Sequence, residues 1–296
     1  MRIVFVLLAA AVIANACRSP MQEVHEVDFA NGEIVEDPIV EDPATIRVAI
    51  ATVISPRESF VYYQEMFEAM SAQLGRRVEF KQRPTYAEVN DMLAQNLIDI
   101  AFVCSGAYIQ GDDHMELLVV PLVDGQPYYR GYIIAHKDSP VAAFEDFRGM
   151  SFTHSDPMCF TGSLFVESRL SELGTVAGEF FNEVVYSLSH DLSIQMVARK
   201  IVDGAAVNGL IFEYFKKYRP EYVEDIKVVD TTSWGGIPPV VNSLLMPRPL
   251  REEVRDFFLG MHLGEETRQI LDNLLIERFL IVGDTLYDDL REIKGQ

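Results

Sequence analysis

Ile98-Asp99-Ile100-Ala101-Phe102-Val103-Cys104-Ser105-Gly106-Ala107-Tyr108 is the stretch on which the fold turns. Ile98 to Val103 is almost wholly apolar and short, the pattern of a strand buried on both faces in a parallel sheet. Ser105-Gly106 follows at once. A small residue lets backbone N–H groups approach a neighbour closely, and a serine there can cap a helix. In open α/β sheets the crevice beyond the carboxyl ends of such strands is where solutes sit.

Upstream, Ile46 to Ala51 is a short apolar β run. Ser59 to Leu74 sets Tyr63, Met66, Phe67, Met70 and Leu74 at helical spacing, with Gly75 as the stop. Val78 to Lys81 reads as a strand and Tyr86 to Gln95 as a helix. This β-α-β-α-β alternation predicts a mostly parallel sheet with covering helices. Downstream, Leu117–Val120, Tyr129–His136, Met150–Thr153, Val184–Ser187, Gly204–Val207 and Ile226–Asp230 read as strands. Phe144 to Phe147 reads as a helical turn, and Thr161–Leu173, His190–Val202 and Leu210–Tyr218 as helices. That is a second β/α set as large as the first, as expected when one core stops growing. The end of the chain, Pro249 to Glu292, is helical and is expected to pack back on the first set. The chain then crosses between the two sets twice, near Gly125–Ile133 and Thr231–Val241, and two crossings make a hinge. The expected division is 45–128 with 237–296 in one lobe and 129–236 in the other.

The composition is that of a globular chain of 296 residues, 49% hydrophobic, with a formal net charge of -20. So acidic a surface argues against nucleic acid as a partner. It does not forbid a small anionic ligand, because backbone N–H groups and helix N-termini set the local potential. Arg2 followed by the apolar run Ile3–Ile13 and by Ala14-Asn15-Ala16 reads as a signal peptide over residues 1–16. Cys17 is placed like the lipidated cysteine of a bacterial lipobox, although Ala14 and Asn15 depart from the usual pattern, and plain secretion stays open. Residues 17–44 carry acids, prolines and a doubled Val-Glu-Asp-Pro unit with no Lys or Arg after Arg18, the composition of an extended tether. The remaining cysteines, Cys104 and Cys159, make no disulfide framework. Export permits a bridge between them, and sequence does not establish their proximity.

Several runs together resemble the periplasmic phosphate/phosphite/phosphonate-binding proteins of ABC transporters. They are Ser55-Pro56-Arg57-Glu58-Ser59-Phe60-Val61-Tyr62-Tyr63, Tyr86-Ala87-Glu88-Val89-Asn90-Asp91-Met92-Leu93, the Ile98–Tyr108 stretch, Tyr132-Ile133-Ile134-Ala135-His136-Lys137-Asp138-Ser139-Pro140, Asp156-Pro157 with Thr161-Gly162, Ser189-His190-Asp191, and Asp203-Gly204-Ala205-Ala206-Val207. The resemblance spans roughly residues 45–292. It implies a two-lobed α/β binding protein of the type II periplasmic fold. Such a protein closes on a small oxyanion, needs no cofactor, performs no chemistry, and presents its closed form to a membrane permease. It implies a monomer in the periplasm or on the outer face of a membrane.

The ligand-contacting residues so expected are Ser55, Tyr62, Ser105, Tyr108, Tyr129, Thr161, Gly162, Ser163, His190 and Asn208. Thr161 is expected to N-cap the following helix, leaving the N–H groups of Gly162, Ser163 and Leu164 for an anion. His190, at a helix start, is expected to be a neutral donor. Where the family often carries hydroxyl side chains before its Ser/Thr-Gly pair, this chain has Cys159 and Phe160. No carboxylates stand where a ligand amine would need them, so phosphate, phosphite or a simple alkylphosphonate is favoured over an aminophosphonate.

Two other readings stay open. The same fold can serve as a ligand-presenting subunit for a membrane receptor or kinase. More remotely, Cys159 with His154, Asp156 and His190 could form the nucleophilic set of a hydrolase, though no local signature supports it. The spacing of His154, Asp156 and Cys159 matches no metal motif.

Overall fold

The computed structural model describes residues 45–51 and 56–294. The leader, Cys17, the tether and Ser55 lie outside the described residues.

β1 (Thr45–Ala51) leads to helix α1 (Pro56–Leu74), β2 (Arg77–Arg83), α2 (Tyr86–Ala94), β3 (Ile100–Phe102) and α3 (Ser105–Gly111). β1 lies between β2 and β3 and is parallel to both, with Val48 opposite Phe80 and Ile100. The alternation of β1 sends Ile46, Val48 and Ile50 into one apolar cluster and Ala49 and Ala51 into another, so the sheet is covered on both faces. That is why the strands read as near-continuous apolar runs. β4 (Met115–Leu122), β12 (Val240–Ser243) and β13 (Arg278–Leu280) complete a six-stranded sheet in the order β13-β4-β12-β3-β1-β2. β12 runs antiparallel to β3 and β4, and β13 antiparallel to β4. The first sheet is therefore mixed, and the expectation of a mostly parallel sheet holds only for β1, β2 and β3.

The second sheet has five strands in the order β10-β6-β9-β7-β8. They are β6 (Gly131–His136), β7 (Ser151–His154), β8 (Glu183–Tyr186), β9 (Gly204–Asn208) and β10 (Ile226–Thr231). Its helices are α4 (Phe165–Glu172), α5 (Ala177–Phe180), α6 (His190–Ala198) and α7 (Gly209–Tyr218). Ala205 and Val207 face one apolar cluster and Ala206 the other. The C-terminal part, α8 (Arg248–Gly260), α9 (Glu265–Asn273), β13 and α10 (Asp288–Lys294), returns to the first sheet as expected.

The two crossings pair with each other. β5 (Tyr128–Tyr129) and β11 (Gly235–Gly236) form an antiparallel two-stranded ladder, with Gly235 opposite Tyr129 and Gly236 opposite Tyr128. Each sheet is the centre of one lobe, and this ladder is the hinge between them.

Two local expectations are corrected. Thr161 does not cap a helix. The chain takes a wide π turn over Phe160–Leu164 before α4, and the N–H groups of Ser163 and Leu164 both donate to Cys159 O, at 2.9 and 3.1 Å. Ser105 is the first residue of α3, not its cap. Cys104 holds the cap position without a side-chain bond.

Candidate functional site

The lobes meet along the β3–α3 corner of the first and the loop after β7 in the second. Gly106 marks the closest approach. A Cβ there would stand 2.2 Å from Met158 O and 2.7 Å from Phe160 N. No side chain larger than hydrogen fits that contact. Asp156 crosses the same seam. One carboxylate oxygen accepts the N–H of Tyr86 at the start of α2 (3.1 Å) and the other that of Met158 (2.7 Å). Burial holds the Asp156 carboxyl above its ordinary pKa, and these two N–H donors oppose the rise. The Phe160 ring lies 5.9 Å from the Tyr129 ring and against Gly235, so the second lobe plugs an aromatic side chain into the hinge.

Behind this plug sits a cluster of polar and sulfur groups. Cys104 Sγ and Cys159 Sγ are 3.8 Å apart, both buried and both free thiols. Thr161 Oγ1 lies 3.5 Å and His190 Nε2 3.6 Å from the Cys159 sulfur, and Ser155 Oγ 3.4 Å from His190 Nε2. The backbone N–H of Asn208 donates to His190 Nδ1 at 3.1 Å. That bond assigns the ring proton to Nε2, which makes it a donor toward Ser155 and Cys159. His154 Nδ1 is hydrogen-bonded to Gly162 O, and burial lowers its pKa. For the thiols, burial followed by the bond to Cys159 pushes Cys104 well up. Burial opposes ionisation of Cys159 as well, but the Cys104 thiol and the His190 imidazole beside its sulfur outweigh it and pull its pKa down.

On the other side of Tyr129 a cavity of about 690 Å3 opens between the lobes. Its walls are the hinge (Tyr128, Tyr129, Arg130, Trp234), the start and length of α7, and the first-lobe segments around Pro238 and Leu275. Asn208 lines it. Asn208 Oδ1 caps α7 by accepting the Leu210 N–H at 2.8 Å, which leaves the side-chain amide as a donor at the cavity wall. The Tyr218 hydroxyl at the far end of α7 reaches across to Asp272 O, 3.3 Å away on the first lobe.

The expected site residues therefore fall into three groups. Tyr129 and Asn208 line the cavity. Thr161, Gly162, Ser163 and His190 gather one step deeper, behind Asn208, and Ser105 behind Tyr129. All are buried, and two already have firm partners: Ser105 Oγ donates to Gly236 O at 2.6 Å and Ser163 Oγ to Asp156 O at 2.8 Å. Tyr108 stands apart from the others, its hydroxyl donating to Asp284 Oδ1 at 2.6 Å, with its pKa raised by burial and by that carboxylate. Tyr62 falls within α1 by its backbone. Sequence reading missed Ser155, Arg130 and Trp234. The last two flank the crossings that the sequence did locate, and a lone tryptophan beside one of them was the available signal.

The arrangement gathers hydrogen-bond donors of the second lobe beside one interlobe space. A family model for the periplasmic substrate-binding protein of phosphonate ABC transporters matches residues 48–287. The chain belongs to this family. It is 22% identical over 260 residues to the phosphonates-binding periplasmic protein of Escherichia coli (strain K12), covering 86% of this chain and 77% of that protein. Among solved structures, a binding protein component of an ABC phosphonate transporter from Pseudomonas aeruginosa superposes with a TM-score of 0.80 at 24% identity, over 84% of this chain and 85% of that one. A Prochlorococcus marinus protein in complex with methylphosphonate gives a TM-score of 0.77 at 17% identity, over 86% and 98%. These likenesses establish the two-lobed periplasmic-binding fold. Membership makes the chain a periplasmic substrate-binding protein of an ABC importer.

Proposed function

We propose that this chain captures a phosphonate- or phosphate-type oxyanion between its lobes and hands it to an ABC permease without altering it. The observation that carries the reading is the gathering of second-lobe donors beside one interlobe space: Asn208 at the cavity wall, with His190 and Thr161 behind it. The Nε2–H tautomer of His190 and the hydroxyl of Thr161 are suited to an anion, and preorganised donors of this kind bind charge strongly where water is excluded. Ser55 and Tyr62, which the family resemblance adds, complete the proposed set. The lobes divide at 45–128 with 237–296 and at 129–236, and they swing about the β5–β11 ladder. Cys17 carries the lipid that holds the monomer to the membrane, with 17–44 as its tether.

The test is a thermal-shift screen of the purified protein against phosphate, phosphite, methylphosphonate, sulfate and small carboxylates. A ligand that binds only the folded state raises Tm by mass action. A rise with at least one phosphorus oxyanion is expected. A rise with carboxylates alone would retain the fold and refute the ligand class.

A further inference from the structure

The cavity is far larger than a simple oxyanion needs. At about 690 Å3 it falls among pockets that bury drug-sized ligands, roughly 300–1,000 Å3. A methylphosphonate is a handful of non-hydrogen atoms and would leave most of this volume to water, whose share is about 30 Å3 per molecule in the liquid. Of the donors expected for the anion only Asn208 serves this space, because the Tyr129 hydroxyl turns away to Ser105 and to the Cys104 sulfur, 3.9 Å off.

Next to them is Arg130. Its guanidinium lies 5.0 Å from the Trp234 ring centre and 5.9 Å from that of Tyr132, and among the described residues it has no carboxylate partner. In a chain of net charge -20 an unpaired, half-buried arginine facing a cavity is an exception. Of the acids lining the same cavity, Glu213 accepts the Tyr132 hydroxyl at 3.1 Å and pairs with Lys216 at 3.4 Å, and Glu277 accepts the Gly125 N–H at 2.8 Å; Asp124 and Asp272 line it as well, with Lys217 as a second cation. Trp234 is the only tryptophan in the chain and is 48% exposed on the cavity side of the hinge. A guanidinium over an indole, sharing a hydrogen bond with the Tyr132 hydroxyl, still has N–H groups to offer a phosphoryl or phosphonyl oxygen. Beyond it, Tyr214 on α7 and the indole give ring faces to a planar group, which prefers offset or edge contact with them.

We infer that the ligand of this cavity is an organic phosphonate or phosphate monoester bearing an aromatic group, with its anionic end at Arg130 and Asn208 and its ring along Trp234. This rests on the oxyanion reading above and narrows it from small inorganic or alkyl species to aryl-bearing ones. Arg130 is then the specificity-determining cation of the site and Trp234 its ring platform.

The experiment uses the full mature chain and two probes, phenylphosphonate and methylphosphonate, titrated by calorimetry and by the emission of Trp234. Because that tryptophan is unique, any ligand-induced emission change reports on this cavity. Phenylphosphonate is expected to bind about tenfold or more tighter than methylphosphonate, a difference of about 1.4 kcal/mol per decade, and to shift or quench the emission. Trp234→Ala, followed by calorimetry, should bring phenylphosphonate down to the methylphosphonate level, and Arg130→Gln should weaken both. Methylphosphonate binding as tightly as phenylphosphonate, with unchanged emission, would overturn the aryl assignment and leave the oxyanion reading standing. Failure of both probes to bind would overturn the aryl assignment, and the phosphate and phosphite arms of the thermal-shift screen would then decide the oxyanion reading separately.

Discussion

Cys104 Sγ and Cys159 Sγ lie 3.8 Å apart across the seam between the lobes, one at the first turn after β3 and the other in the loop after β7. Only van der Waals contact and a weak thiol hydrogen bond join the two sulfurs, and the neighbouring contacts across the seam, such as that of Asp156 with the Tyr86 N–H, are noncovalent too. A bond between these sulfurs would fix the seam covalently.

Oxidation is therefore expected to staple the lobes closed. With diamide, an azo oxidant that accepts the two electrons and two protons, the thiols should form one intramolecular disulfide. Peptide mapping should place it between residues 104 and 159, and Cys104→Ser should prevent it. Ligand loaded beforehand should exchange much more slowly from the oxidised protein and recover its rate on reduction. Two thiols that react independently with a thiol reagent in the presence of ligand, and never cross-link, would contradict the seam geometry.

Gly106→Ala places a methyl carbon where Met158 O and Phe160 N already stand. Both obstacles are backbone, so the lobes themselves must shift. Overpacking of this kind costs typically about 1–3 kcal/mol. The change should lower Tm and raise the radius of gyration in small-angle scattering, because the closed seam is what it attacks. An unchanged scattering curve would show that the seam is looser than the contact implies.

Phe160→Ala should destabilise by about 3–5 kcal/mol, the usual range for removing a buried phenylalanine. The ring is fully buried against Tyr129 and Gly235. Chemical denaturation measures the loss. A change below about 1 kcal/mol would mean that the hinge collapses readily onto the vacated space.

The pH dependence of Asp156 has a definite sign. Burial raises its pKa in the folded state above the ordinary 3.8. The folded protein then binds the proton more tightly than the unfolded chain, so this group's contribution to stability falls as pH rises from 3.8 through the folded value. Asp156→Asn does not titrate. Its stability deficit relative to the native chain should shrink as pH rises through that window. A deficit that grows would mean that the Tyr86 and Met158 N–H donors outweigh burial.

The lobes, the twin crossings and the return of the C-terminal part were all legible in the sequence, because strands covered on both faces must be apolar along their length. β1 and Ile98–Val103 are the clearest cases. The mixed character of the first sheet was not legible. β12 and β13 are short, and their direction is fixed by where the returning chain docks rather than by their own residues. In the site, His190 at a helix start was readable from Ser189-His190-Asp191, and its donor tautomer follows from the Asn208 N–H. The wide turn at Phe160–Leu164 was hidden, since Thr-Gly-Ser suits an ordinary N-cap equally well. The Cys104–Cys159 contact and the Arg130–Trp234 stack each join segments from different parts of the chain, and local pattern carries no information on such pairs.

The account stands on an anion held by second-lobe donors beside the interlobe space. Calorimetric titration of methylphosphonate into the native chain, Asn208→Ala and Thr161→Val measures this most directly, with melting curves to confirm that each variant is folded. Loss of about tenfold or more in affinity is expected from either change. Full affinity retained in both variants would contradict it.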